Sequence, residues 1–166
     1  LRLPEGQEVP PGHVRGLGCR RRCGARSIAP HRRLRDHPSI TSLEATDARH
    51  LTAAQAGVPS LIVCDASFIS LHKLLQVPLS FAVPDATLVA LFKPQFEVGR
   101  ANIGKGGIVN DPAAVEAAEN TFVAWLAEQG WHVRARADSP IKGGDGNAER
   151  LICATLADRR SELEAG

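Results

Sequence analysis

The stretch Thr87–Val109, TLVALFKPQFEVGRANIGKGGIV, decides how this chain is read. Leu88 to Phe92 is an unbroken apolar run of strand length, the pattern of a strand buried on both faces. Lys93 stands where the run stops, and Pro94 ends the regular structure. A glycine-rich polar loop follows, Gly99 to Gly107, and it carries Arg100 and Lys105. In an open α/β sheet, ligands bind beyond the carboxyl ends of the strands. Lys93 is therefore a candidate functional residue. The alternative is a lysine whose stem covers apolar surface while its ammonium reaches water.

Upstream, Ile40 to Leu43 reads as a short strand, with Glu44-Ala45-Thr46-Asp47 at its carboxyl end. Ala48 to Ala56 reads as a short helix or turn closed by Gly57 and Pro59. Leu61 to Cys64 is a second continuous apolar run, ended by Asp65. Ile69 to Val77 has helical spacing at 69, 71, 74 and 75, with Pro78 and Pro84 punctuating the connection to the next strand. Downstream, Asp111 caps a helix that has Pro112 at its first position. Val115, Ala118, Phe122, Trp125 and Leu126 form its stripe, and Gly130 takes the position after its end. Trp131 to Ala137 is a strand, Ser139 to Asn147 a loop, and Glu149 opens a last strand, Leu151 to Leu156. Strand and helix alternate and then two strands close the chain. This is a doubly wound α/β pattern, mostly parallel, with a terminal antiparallel hairpin.

The 166 residues suit one domain with a real core. Apolar content of 43% and charged content of 23% are ordinary for a globular protein. No apolar run approaches the roughly 20 residues that cross a bilayer, and no secretory signal is apparent. The net charge of +2 conceals an asymmetry. Residues 1–40 hold nine arginines against Glu5, Glu8 and Asp36, and the remainder is net acidic. Residues 1–30 show no apolar period and are broken by Pro4, Pro10, Pro11 and Pro30, so little regular structure is expected before about Pro38. Cys64 and Cys153 lie in apolar runs and read as buried small hydrophobes. Cys19 and Cys23 have no second ligand pair at zinc spacing, so no metal site is expected and a reducing cytoplasm is the default.

Polar residues gather at the strand ends: Asp47, Asp65 and Lys93, with Glu149 arriving from the antiparallel strand. In a parallel sheet the first three meet on one rim. Two carboxylates beside a lysine then shift one another's proton affinity. Trp125 and Trp131 read as packing residues rather than stacking platforms.

Five segments carry a resemblance: EATDARHL (Glu44–Leu51), CDASFISL (Cys64–Leu71), LFKPQFEVGR (Leu91–Arg100), GKGGIVNDP (Gly104–Pro112) and SPIKGGDGNAE (Ser139–Glu149). Together they resemble the TlyA, or hemolysin-A-type, rRNA methyltransferases of the FtsJ-like group, over about residues 31–156. The resemblance implies a Rossmann-like fold, S-adenosylmethionine as cofactor, and ribosomal RNA or a ribosomal subunit as partner. The activity implied is 2′-O-ribose methylation. It also implies a lysine–aspartate–lysine–glutamate set, in which Asp65, Lys93 and Glu149 match the last three members. Asp47 and Asp65 match cofactor-binding positions, and Arg100 and Lys105 are candidates to touch RNA phosphate. No lysine precedes Lys73, and no glycine-rich cofactor loop of the family's type precedes residue 31. The expectation is a methyltransferase domain over 38–158 whose N-terminal part is lost or divergent. A poorly structured basic segment, 1–37, would precede it and a charged tail, 159–166, would follow. The alternative is a non-catalytic remnant acting as an RNA-binding or interaction module.

Overall fold

The structure, a computed structural model, describes residues 14–18, 40–44, 46–144 and 146–157. The Cys19–Cys23 pair and the charged tail lie outside the described residues. The chain divides into two compact units, Leu1–Asp47 and Ala48–Gly166.

In the first unit, β1 (Val14–Gly18) pairs in parallel with β2 (Ile40–Glu44), Val14 opposite Ile40 and Gly18 opposite Glu44. β1 is a short strand within the stretch before Pro38, where little regular structure is expected. Ladder bonds use main-chain N–H and C=O groups, which every residue of VRGLG carries. A strand with a partner can therefore form where no side-chain period announces it.

The second unit opens with a 3-10 turn, Ala48–His50, and a single helical turn, α1 (Ala53–Ala56), whose Thr52 and Gln55 form a capping box. Then come β3 (Leu61–Cys64), α2 (Leu71–Leu79) and β4 (Thr87–Phe92). Three 3-10 turns follow: Pro94–Phe96, Arg100–Asn102 and Lys105–Gly107. The unit ends with α3 (Pro112–Glu128), β5 (Trp131–Asp138) and β6 (Arg150–Leu156). The strand order is β3-β4-β6-β5. β3 and β4 are parallel, and β6 runs antiparallel to both β4 and β5, which makes the expected terminal hairpin.

Two boundaries differ from the sequence reading. α2 begins at Leu71 rather than Ile69, because Phe68 has a φ of 67° and Ser70 is extended with a ψ of 145°. It also runs through Pro78 instead of stopping before it. Pro78 falls in the last turn, where one missing N–H forfeits one bond, and its ring is buried. α3 keeps to local rules: Asp111 Oδ1 accepts from the Ala113 amide at 2.9 Å, Pro112 leads, and Gly130 follows with a φ of 80°.

Leu88, Ala90 and Phe92 of β4 and Ile152 and Ala154 of β6 are fully buried on one sheet face. Phe122 of α3 lies over Phe92 at 6.4 Å between ring centroids, and α2 packs beside α3 through His72 and Trp125. Burying a side chain such as Phe92 is worth about 1.5–3 kcal/mol. Trp131 is buried in this core as expected, and Trp125 stacks on Phe122. Glu119 is buried in α3, where its carboxylate accepts from Arg136 of β5 at 3.2 Å and from Arg150 of β6. That arrangement fastens α3 across the hairpin, one residue from Glu149.

Candidate active site

Lys93 is the first residue beyond β4 and precedes the turn Pro94–Phe96. Proline restrains the residue before it to extended backbone, and Lys93 has φ −115° and ψ 103°. β4 alternates, with Leu88, Ala90 and Phe92 in the core, so the pleat turns Lys93 to the opposite face. Its side chain is only 13% exposed. Nζ lies 2.6 Å from Asp65 Oδ1 and donates to Ser67 Oγ at 3.2 Å. Asp65 follows β3, the parallel neighbour of β4, so the two residues share a rim. An ammonium has three N–H donors. Asp65 and Ser67 take two, and the third has no acceptor among the described residues.

Glu149 immediately precedes β6, whose strand begins at Arg150 rather than at Glu149 itself. One step beyond the Phe92–Arg150 pair, the antiparallel register sets Glu149 opposite Lys93. It is 7% exposed, and its carboxylate makes no hydrogen bond to a described residue. Gly143 packs against that carboxylate so closely that a Cβ there would stand 2.5 Å from Oε1. Asp65 and Lys93 thus meet at the rim, while Glu149 is placed near them by strand register alone. Asp47, half-buried beyond the end of β2, belongs to the other unit.

The exposed candidates Arg100 and Lys105 sit in successive 3-10 turns. The Lys105 turn needs its glycines, since Gly106 and Gly107 have φ of 76° and 81°. It is anchored by a residue that sequence reasoning passed over. Asn147, 3% exposed, accepts from the Val109 amide at 2.9 Å and donates to the Gly107 carbonyl at 3.0 Å. This two-point bond holds the Gly104–Val109 loop against the loop that leads to Glu149.

Three further residues escaped the sequence reading. Ser67 is a partner of Lys93, and Phe68 stands 55% exposed beside it with left-handed backbone, its ring 5.1 Å from that of Phe96. A bulky residue at such a φ is strained by about 1 kcal/mol or more, and strain of this kind gathers at functional sites. Glu97 accepts from the Leu71 amide at 2.8 Å, and burial pushes its carboxyl up to about 7 against the opposing pull of that bond. The only advance signal was membership of these residues in the motifs CDASFISL and KPQFE. Burial, followed by the Asp65 and Glu97 carboxylates, pushes the Cys64 thiol up to about 12, so it is an inert core residue. Gln95 Oε1 is buried without a hydrogen-bond partner, and nothing in the structure explains it.

The parallel β-α-β core, the antiparallel hairpin and the polar cluster at the strand ends define the Rossmann-like fold of S-adenosylmethionine-dependent methyltransferases. The chain belongs to the FtsJ-like methyltransferase family, which matches residues 19–156. The match starts ahead of residue 31, where the motif resemblance begins. A 16S/23S rRNA (cytidine-2′-O)-methyltransferase, TlyA of Mycobacterium tuberculosis, is 42% identical over 128 residues, covering 76% of this chain and 48% of that protein. Hemolysin A of Brachyspira hyodysenteriae is 34% identical over 121 residues, covering 72% of this chain and 50% of that protein. Among solved structures, a candidate hemolysin of Streptococcus thermophilus superposes with a TM-score of 0.71 at 36% identity. That match covers 76% of this chain and 46% of the other. The chain spans about half the length of the curated relatives it matches. Among the described residues, no helix is long and apolar enough to cross a membrane.

Proposed function

We propose that this protein methylates ribose 2′-hydroxyls of ribosomal RNA in the cytoplasm, with S-adenosylmethionine as methyl donor and Lys93, Asp65 and Glu149 as its catalytic centre. The observation that carries this reading is the Lys93 ammonium, held by Asp65 and Ser67 with one N–H to spare, opposite a buried Glu149. The donor set suits the cofactor: the Asp65 carboxylate is 67% exposed at the strand-end rim, where a cationic ligand can reach it. Asp65 would hold the cofactor there. S-adenosylmethionine, when bound, supplies an electrophilic methyl group.

The remaining work falls to side chains. The free N–H of Lys93 binds the ribose 2′-oxygen and stabilises the negative charge that develops on it. Asp65 and Ser67 fix the position of Nζ, so the donor needs no reorganisation during transfer. Glu149 accepts the hydroxyl hydrogen and orients the oxygen lone pair. Its burial excludes the water that would otherwise compete. Arg100 and Lys105 contact RNA phosphates, which position the strand without reading its sequence. Phe68 offers an exposed ring beside the ion pair on which a nucleobase can stack.

The experiment is methyl incorporation from radiolabelled S-adenosylmethionine into 16S and 23S rRNA, by the protein and by Lys93→Ala. The expected result is ribose methylation that falls by about 10²–10⁴ in the variant. Transfer that survives the substitution would sink the mechanism, and transfer to a base would sink the ribose assignment.

A further inference from the structure

Glu97 lies outside the catalytic cluster, yet its side chain accepts a hydrogen bond from the end of the same loop that the cluster uses. The first N–H groups of a helix have no partner within it. Ser70 occupies the N-cap position of α2 but makes no side-chain cap bond. Glu97, 26 residues further along, accepts from Leu71, the first residue of the helix. The turn that carries Glu97 also carries Lys93. It is closed by Phe96 N–H to Lys93 O at 3.0 Å, Glu97 N–H to Pro94 O at 2.9 Å and Val98 N–H to Pro94 O at 3.0 Å. Three side chains of this one turn therefore grip the segment from Asp65 to Leu71. Lys93 holds Asp65 and Ser67, Phe96 lies against Phe68, and Glu97 holds Leu71.

The gripped segment is exposed over much of its length, although Leu71 at its end is buried in the core. The Asp65 side chain is 67% exposed, Phe68 is 55% exposed, and Phe68 keeps a left-handed φ of 67°. A loop with exposed side chains and a strained residue needs its ends pinned to keep one geometry. The far end, at Leu71, is held by burial of its side chain, and its main-chain N–H is held by Glu97.

We propose that Glu97 is a positioning residue: by accepting the Leu71 amide, it fixes the Asp65–Ser70 loop so that Asp65 and Ser67 meet the Lys93 ammonium. This rests on the reading of Lys93 and Asp65 as the methyl-transfer centre. The role asks only for an acceptor oxygen at Oε1, and a glutamine supplies one of the same reach. Burial pushes this carboxyl up to about 7, against the opposing pull of the Leu71 bond.

The test compares the full chain with Glu97→Gln and Glu97→Ala in two measurements. The first is hydrogen–deuterium exchange of the peptide covering 65–71, with the 150–156 strand as internal reference. The second is single-turnover methyl transfer to rRNA at saturating and limiting cofactor. In Glu97→Ala, exchange at 65–71 should rise about tenfold while the strand reference is unchanged. Transfer at saturating cofactor should fall about tenfold to a hundredfold. Glu97→Gln should stay within about threefold of the parent in both. Unchanged exchange in Glu97→Ala, or a glutamine variant as impaired as the alanine one, overturns the proposal. So does faster exchange with undiminished transfer, which would make Glu97 a helix cap alone. If the parent chain shows no transfer while exchange behaves as expected, the pinning stands and the methyltransferase reading falls.

Discussion

Replacing Glu119 by alanine should loosen the hairpin that delivers Glu149. Glu119 is 2% exposed, and its two oxygens accept from Arg136 at 3.2 Å and from Arg150. The guanidinium of Arg150 is held above its ordinary range, first by the Glu119 hydrogen bond. Arg136 and Arg150 are themselves 44% and 40% exposed, and Arg150 also reaches Asp138 at 3.4 Å. Water can therefore rehydrate both after the carboxylate is gone, and the loss stays at the lower end of the about 3–5 kcal/mol that breaking a buried pair costs. Two charge-assisted bonds discounted for solvent to about 1 kcal/mol each, with about 1 kcal/mol for the lost buried methylenes, give roughly 3 kcal/mol. Glu119→Gln keeps the packing and should lose about half of that. Urea unfolding measures both: with a slope of about 2 kcal/mol per molar, the midpoint should fall by about 1.5 M in the alanine variant. A loss below about 1 kcal/mol would show that the two arginines gain nothing from the buried carboxylate. The fastening of α3 to the start of β6 would then have to come from apolar packing alone.

Other outcomes follow from the same geometry. Asp65→Asn should change stability by less than about 1 kcal/mol, since Asp65 is largely exposed. It should nonetheless cut methyl transfer at least about a hundredfold by releasing Lys93; equal losses in both would make the ion pair structural. Gly143→Ala should displace the Glu149 carboxylate, which a Cβ would approach to 2.5 Å, and lower turnover without touching a catalytic side chain. Unaltered turnover would show that Glu149 is dispensable or free to move. Glu97 binds its proton more tightly folded, at about 7, than at its ordinary 4.5. Its contribution is therefore fully present below about pH 4.5 and is lost as pH rises through about 7. The loss should be on the order of 2 kcal/mol after allowance for partial solvent access. The difference in stability between the parent and Glu97→Gln, followed by thermal unfolding from pH 4 to 8, should show that slope; a flat difference refutes it.

Much of the site was legible because its signals are local. An apolar run that stops at Lys93 before Pro94 marks a strand end within two residues. Asp111, Pro112 and Gly130 mark the limits of α3, because caps satisfy orphan main-chain groups only at its ends. Asp65 is placed by the end of its own apolar run, and its meeting with Lys93 follows once β3 and β4 are parallel neighbours. Pro78 misled for an equally local reason. Proline breaks a helix interior, but the last turn tolerates it, and only the burial of its ring shows which case applies.

The rest depended on pairings between distant residues. Leu71 meets Glu97 across 26 positions, Arg150 meets Glu119 across 31, and Gly107 meets Asn147 across 40. No period or cap signature in the intervening sequence specifies these contacts; strand register and helix packing do. β1 likewise became a strand through its partner β2, not through its own pattern. The amino-acid sequence by itself determined where strands end and which charged side chains stand there, since propensity, proline and capping act within a few residues. Only the tertiary structure decided that one turn grips one loop at three points and that Glu149 is buried where β6 begins, because both depend on how separate strands align.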